Sequence, residues 1–197
     1  LLDGFKVKTT QARKGVTRRA FNQKELQQIF GSDYYRDGLY NRSYQYWIIH
    51  LAAFTGARVN ELSQLTTSDV KQDDEGLWYF NITATEDDGK TVKNEESRRI
   101  IPVHQKLIEL GFIEYVEAKR AEVEEAGMSI NLFDLNKAKA DGYGKAASQW
   151  FNTKYLRDYL KVDDKNVVFH SFRHRFISSL AQAILDASGL SEETANK

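Results

Sequence analysis

His170-Ser171-Phe172-Arg173-His174 is the stretch on which the reading of this chain turns. It follows the short apolar run Val167-Val168-Phe169 and opens a segment whose periodicity predicts a helix from about Ser171 to Ser188. His170 and Arg173 are three residues apart, so a first helical turn puts both side chains on one face. Backbone N–H groups and the helix dipole at such a start favour an anion. A histidine and an arginine converging there suit an oxyanion or a phosphate. The segment equally fits a buried polar helix start in which Arg173 serves a salt bridge. A zinc site on His170 and His174 lacks a third ligand and any HExxH pattern.

Working back along the chain, a second arginine stands in a similar position. A helix is expected from about Ser43 to Thr55, where Tyr44, Trp47, Ile48, Leu51, Ala52 and Phe54 give the broad apolar face of a central core helix. Gly56 breaks it, and Thr55-Gly56-Ala57-Arg58-Val59-Asn60-Glu61-Leu62 leads into a shorter helix from Arg58 to about Leu65. Glu61 lies one turn beyond Arg58 and can hold its guanidinium. A guanidinium so fixed presents two parallel donors to a phosphate, which a lysine cannot. An ordinary Arg58–Glu61 helix pair, worth about 0.2–0.5 kcal/mol, reads the same way.

Between these motifs the period changes. Leu77-Trp78-Tyr79-Phe80-Asn81-Ile82-Thr83 is rich in aromatic and β-branched residues and reads as a strand. Arg98 to Val103 reads as another, and a strand near Asp69 to Gln72 completes a three-stranded antiparallel sheet. The polar connection carries Lys90 and Lys93, at a hairpin tip that could reach a scissile phosphate or simply keep an edge soluble. Helices are expected elsewhere. Asn22 and Glu25 form a capping-box pattern before Leu26, Ile29 and Phe30. Asp33 to Asn41 is turn-like. Leu107–Leu110 and Phe112–Ala126 are helical, Leu132 and Phe133 anchor a loop, and Lys145–Leu160 is amphipathic through Ala146, Trp150, Tyr155, Leu156 and Tyr159. The fold class is therefore mainly α with a small three-stranded antiparallel β-sheet, an α+β arrangement.

Composition narrows the function. The chain has 197 residues, with 28 basic and 28 acidic groups and no cysteine. The length suits one domain burying roughly 70% of its unfolded surface. The absence of cysteine excludes disulfides, Cys-based zinc fingers, iron–sulfur clusters and thiol catalysis, and fits the cytosol. No apolar run approaches the ~18 residues needed to span a bilayer. Charge is uneven beneath a zero average. Residues 1–24 hold Lys6, Lys8, Arg13, Lys14, Arg18, Arg19 and Lys24 against Asp3, whereas residues 109–125 are rich in glutamate. That suits one anion-facing side, or a basic linker and a solvated acidic helix. Met128 is the only methionine. The chain is accordingly expected to be a fragment of a longer protein, its end cutting a helix near Ser191–Lys197.

Taken in order, the Thr55–Leu62 box, the lysine-bearing hairpin leading to Ser97-Arg98-Arg99-Ile100-Ile101-Pro102-Val103-His104, and the His170–His174 box resemble the tyrosine recombinases of the phage-integrase family, over roughly residues 20–190. The resemblance implies that family's catalytic-domain fold for 21–197, truncated at its C-terminal side, and a basic interdomain linker over 1–20. It implies Arg58, Lys93, His170 and Arg173 as catalytic residues, with Lys90 the alternative hairpin lysine and Glu61 supporting Arg58. Arg18, Arg19 and Lys90 are candidate DNA contacts. The implied chemistry is site-specific DNA integration and recombination, by strand cleavage and rejoining through a 3′-phosphotyrosyl intermediate. Arginine and lysine supply the positive charge, so no metal and no nucleotide cofactor is expected. The partners would be double-stranded DNA and further recombinase protomers, four in synapsis, in the bacterial cytoplasm at the nucleoid, with no membrane.

One departure is large. The family places a His or Trp box and then its nucleophilic tyrosine after the second arginine. All ten tyrosines of this chain precede His170. The 197 residues alone are therefore expected not to cleave. An inactive integrase-like DNA-binding protein remains an alternative, as does a type IB topoisomerase relative, although His170 at its box favours the recombinase.

Overall fold

Asn22 sets the first helix, α1 (Gln23–Phe30). Its side chain accepts from the Glu25 N–H at 2.9 Å while the Glu25 carboxylate accepts from the Asn22 N–H at 2.8 Å, so two otherwise orphaned donors are satisfied reciprocally. The computed structural model describes residues 17–82, 98–122, 130–138 and 142–188. The stretch expected to be turn-like contains one short helix, α2 (Asp33–Arg36). An Asp33–Arg36 ion pair one turn apart closes it.

α3 (Ser43–Thr55) has the bounds read from the sequence. Its middle is buried on all sides: Trp47, Ile48, Ile49, His50, Leu51 and Ala52 are all core residues, as befits a helix with other elements around it. Gly56 caps it in the left-handed conformation, φ 60°. The chain then enters α4 (Val59–Ser63). Beyond it lie β1 (Val70–Gln72), β2 (Trp78–Ile82) and β3 (Arg99–Pro102). They form the expected antiparallel sheet in the order β1-β2-β3, with Phe80 opposite both Val70 and Ile101. Phe80 is fully buried and meets Phe112 at the start of α6, ring centroids 5.5 Å apart. The sheet thus packs at one side of the helical body.

After β3 come α5 (Gln105–Glu109) and α6 (Phe112–Ala121). Leu132 and Phe133 are buried, as expected of loop anchors, and the Leu132 N–H donates to the Leu65 carbonyl at 2.8 Å. α7 (Gly144–Gln149) then widens into a π-helical continuation, Trp150–Tyr159. Its end shows the i→i+5 pattern, Leu160 N–H to the Tyr155 carbonyl at 2.9 Å. This corrects the sequence reading of a uniform α-helix. The core positions are Ala147, Phe151, Tyr155, Leu156 and Leu160, while Ala146 and Tyr159 face solvent. A wider turn moves inward-facing residues to spacings of four and five, which a 3.6-residue template misses.

α8 (Ser171–Ser188) completes the described chain and packs along α3. Its anchor is Phe172, whose ring lies 4.8 Å from Phe21, 5.4 Å from Phe151 and 5.7 Å from Phe169, measured between centroids. Ser171 and Phe172 are buried. With those side chains fixed inward, His170 stays exposed and Arg173 is partly buried. Phe172→Ala removes the anchor and is expected to cost about 3–5 kcal/mol in urea unfolding. A loss below ~1 kcal/mol would mean that the first turn of α8 is held by something else.

Candidate active site

The α3–α4 junction and the start of α8 meet at one hydrogen bond. Arg173 donates from Nη1 to the Gly56 carbonyl at 2.6 Å. Gly56 is required there twice over. Its φ of 60° suits glycine, and a Cβ would fall 2.4 Å from Cδ1 of Phe176 on α8. The glycine that sequence reading took as a helix breaker therefore also lets α8 approach.

Two residues on, Arg58 caps α4. Its Nη1 donates to Glu61 Oε1 at 2.7 Å and its backbone N–H to Glu61 Oε2 at 2.8 Å. The Arg58–Glu61 pair read from sequence is present. Glu61 is more than a surface partner, however: it is 3% exposed and takes a second guanidinium, Arg99 Nη2, at 2.8 Å. Burial pushes its carboxyl pKa up, but hydrogen bonds from Arg99 and Arg58 outweigh that and leave it below the ordinary 4.5.

Beside this pair opens a cleft of about 470 Å³, lined in part by Arg18, Ala57, Ser148, Asn152, His170 and Arg173. Arg58 is not on its wall, yet its charge acts on both His170 and Arg173. Arg173 has its pKa lowered first by burial, then by the Arg58 and Arg99 charges, with Glu61 opposing. The His170 pKa is lowered below 6.5, chiefly by desolvation, then by His174, Arg173, Arg58 and Arg18. Four cationic or ionisable neighbours thus crowd one imidazole. Such a field suits an anion whose arrival relieves the mutual repulsion.

Of the residues singled out from sequence, Arg58, Glu61, His170, Arg173 and Arg18 come together. Arg19 does not join them. Its guanidinium clamps Glu25 at 2.6 Å and Asp164 at 2.7 Å, fastening the chain before α1 to the loop before α8. Arg18, next to it on the chain before α1, donates to the Lys165 carbonyl of that loop at 2.8 Å and lines the cleft. Lys90 and Lys93 lie outside the described residues. His170 and His174 stand edge to face, ring centroids 4.9 Å apart, and no group of three metal-capable side chains occurs among the described residues.

Two contributors escaped the sequence reading. Arg99 was one strand residue among charged neighbours, though the doubled Arg98-Arg99 before an apolar strand is a signal in retrospect. Asn152 left none. Its Oδ1 accepts from the Phe169 N–H at 2.8 Å and so fixes the backbone immediately before His170.

Comparison with known proteins agrees with the three-box resemblance. The sequence model of the Phage integrase family matches residues 19–193, and the chain belongs to that family of tyrosine recombinases. No curated protein matches the sequence. Among solved structures, the crystal structure of XerA recombinase is similar at 19% identity and a TM-score of 0.48, over 89% of this chain and 53% of that one. The Tn1549 transposon integrase, solved in complex with transposon right end DNA, is similar at 19% identity and a TM-score of 0.44, over 87% of this chain and 55% of that one. The chain spans about half the length of these solved structures. No helix among the described residues is long and apolar enough to cross a membrane.

The depressed His170 pKa carries a sign. The folded state holds this proton less tightly than the unfolded one, so stability falls as pH drops through the unfolded value near 6.5 toward the lower folded value. An NMR titration of the imidazole is expected to show a midpoint below 6.5 that rises in Arg173→Gln. A midpoint at or above 6.5 would contradict the crowded positive field. Gly56→Ala is expected to destabilise the fold by about 1–3 kcal/mol through left-handed strain and overpacking on Phe176; a thermal melt identical to wild type would contradict the close approach.

Proposed function

We propose that this chain carries the phosphate-activating residues of a site-specific recombinase acting on double-stranded DNA. The observation that carries the reading is the convergence of Arg18, His170 and Arg173 on one cleft, with the Arg58 charge acting on both His170 and Arg173.

In the proposed reaction a tyrosine oxygen attacks the phosphorus of a phosphodiester. A P–O bond to tyrosine forms, the bond to the 5′-oxygen breaks, and the 3′-phosphate stays on the enzyme. Negative charge gathers on the nonbridging oxygens in the transition state. Arg173, held by the Gly56 carbonyl, and Arg58, held by Glu61, would meet that charge already oriented, which is where electrostatic catalysis is strongest. Lys93 would deliver a proton to the leaving 5′-oxygen, a role open to a titratable ammonium. His170, whose protonation is disfavoured first by desolvation and then by its positive neighbours, would hydrogen-bond the phosphate or relay a proton. The bond energy is stored in the phosphotyrosyl link, and reversal by a free 5′-hydroxyl rejoins the strand. Integration and excision in a synaptic assembly of four protomers would use this step repeatedly.

None of the chain's ten tyrosines follows Arg173. The activity proposed for these 197 residues themselves is therefore DNA binding.

Fluorescence anisotropy with a labelled duplex tests this. Binding is expected to weaken linearly in log–log form as salt rises. Arg58→Gln and Arg173→Gln are each expected to lose on the order of tenfold in affinity, the low end for a charge-assisted contact. On a nicked substrate the chain is expected to leave no SDS-resistant adduct. Salt-independent binding, unchanged affinity in both variants, or an adduct on any of the ten tyrosines would overturn the assignment.

A further inference from the structure

Glu61 creates a difficulty for the site just described. Its carboxylate is almost fully buried and accepts two hydrogen bonds from Arg58, one from Nη1 at 2.7 Å and one from the backbone N–H at 2.8 Å. A lone acid so placed cancels the charge of the arginine it orients, and the pair as a unit would offer a phosphate little net attraction. Arg99 changes that balance. Its Nη2 reaches Glu61 Oε2 at 2.8 Å, the oxygen that also takes the Arg58 backbone N–H. The unit Arg58–Glu61–Arg99 is then net positive, and the Arg99 charge also acts on Arg173. The two guanidinium groups flank one carboxylate, with side chains 32% and 28% exposed.

Position adds a second reason. Arg99 is the first residue of β3 and pairs with Ile82 at the end of β2. It therefore stands at the base of the connection that carries Lys90 and Lys93. The ion pair to Glu61 spans 38 residues of sequence and ties this base to α4.

We propose that Arg99 is a positioning residue of the phosphate site. It neutralises Glu61 so that Arg58 keeps its charge for the scissile phosphate, and it ties the start of β3 to α4. The proposal rests on the phosphate-binding reading given above.

The test uses the 197-residue chain with two probes, a labelled DNA duplex and inorganic phosphate, and follows the Arg58 Nε–Hε resonance by 15N NMR. In wild type, phosphate is expected to shift that resonance. Arg99→Gln is expected to abolish most of the shift although Arg58 is intact, and to weaken duplex binding on the order of tenfold. Arg99→Lys keeps the charge without the planar fork, and should recover affinity to within about threefold of wild type. In a Glu61→Gln background, where no buried carboxylate needs balancing, Arg99→Gln is expected to leave the Arg58 response unchanged. That background also carries the test if Arg99→Gln alone does not fold, and a further loss of the Arg58 shift there overturns the proposal. So does an Arg99→Gln protein with wild-type affinity and shift. Weakened affinity with an intact Arg58 shift makes Arg99 a direct phosphate contact and overturns the positioning role. If Arg58→Gln and Arg173→Gln also bind like wild type, the phosphate site itself has failed, and Arg99 with it.

Discussion

The hydrogen bond from Arg173 to the Gly56 carbonyl joins segments 117 residues apart and brings the two arginine boxes together. It depends on backbone geometry on one side and on packing on the other. Gly56 must be left-handed to end α3 and turn the chain toward Arg58. It must also lack a Cβ for Phe176 to come close. On the α8 side, Phe172 is buried among Phe21, Phe151 and Phe169, which rotates the first turn so that Arg173 points back at the junction. A hydrophobic anchor thus sets the direction of a charged side chain, and a glycine makes room for the helix that carries it.

The charge arrangement runs against stability. Arg173 is shifted by burial and by two neighbouring arginines, and His170 by burial and a ring of positive groups. A buried carboxylate, Glu61, offsets them, and it is already shared by two guanidinium groups. Strained electrostatics of this kind persist where a ligand is meant to complete them, and a phosphate carries the sign that does so. The surrounding scaffold compensates. Arg19 locks the chain before α1 to the loop before α8 through Glu25 and Asp164, and Asn152 holds the Phe169 backbone.

Much of the fold could be read locally. α3 and its glycine stop, the capping box at Asn22, the buried Leu132–Phe133 pair and the three-stranded sheet all follow from periodicity, cap chemistry and β-branched composition. The π-helical stretch after α7 did not, because a widened turn is stabilised by tertiary packing around Phe151 and Tyr155 and leaves no periodic signature of its own. The site divides in the same way. Arg58 with Glu61, and His170 with Arg173, sit at spacings that one helical turn explains. Arg99 reaches Glu61 only because β3 comes back to α4, and Asn152 reaches Phe169 only because the π-helical stretch lies beside the segment that leads into α8. Such long-range pairings are invisible to any local pattern. Arg19, grouped from sequence with the basic leader, is held by Glu25 six residues on and by Asp164 from a distant segment.

Co-crystallisation of the chain with a duplex tests most directly whether Arg58 and Arg173 serve one anion. Both guanidinium groups are expected within about 3 Å of the oxygens of a single phosphate, with His170 beside it. Two arginines on separate phosphates, or DNA lying on another face of the molecule, would contradict it.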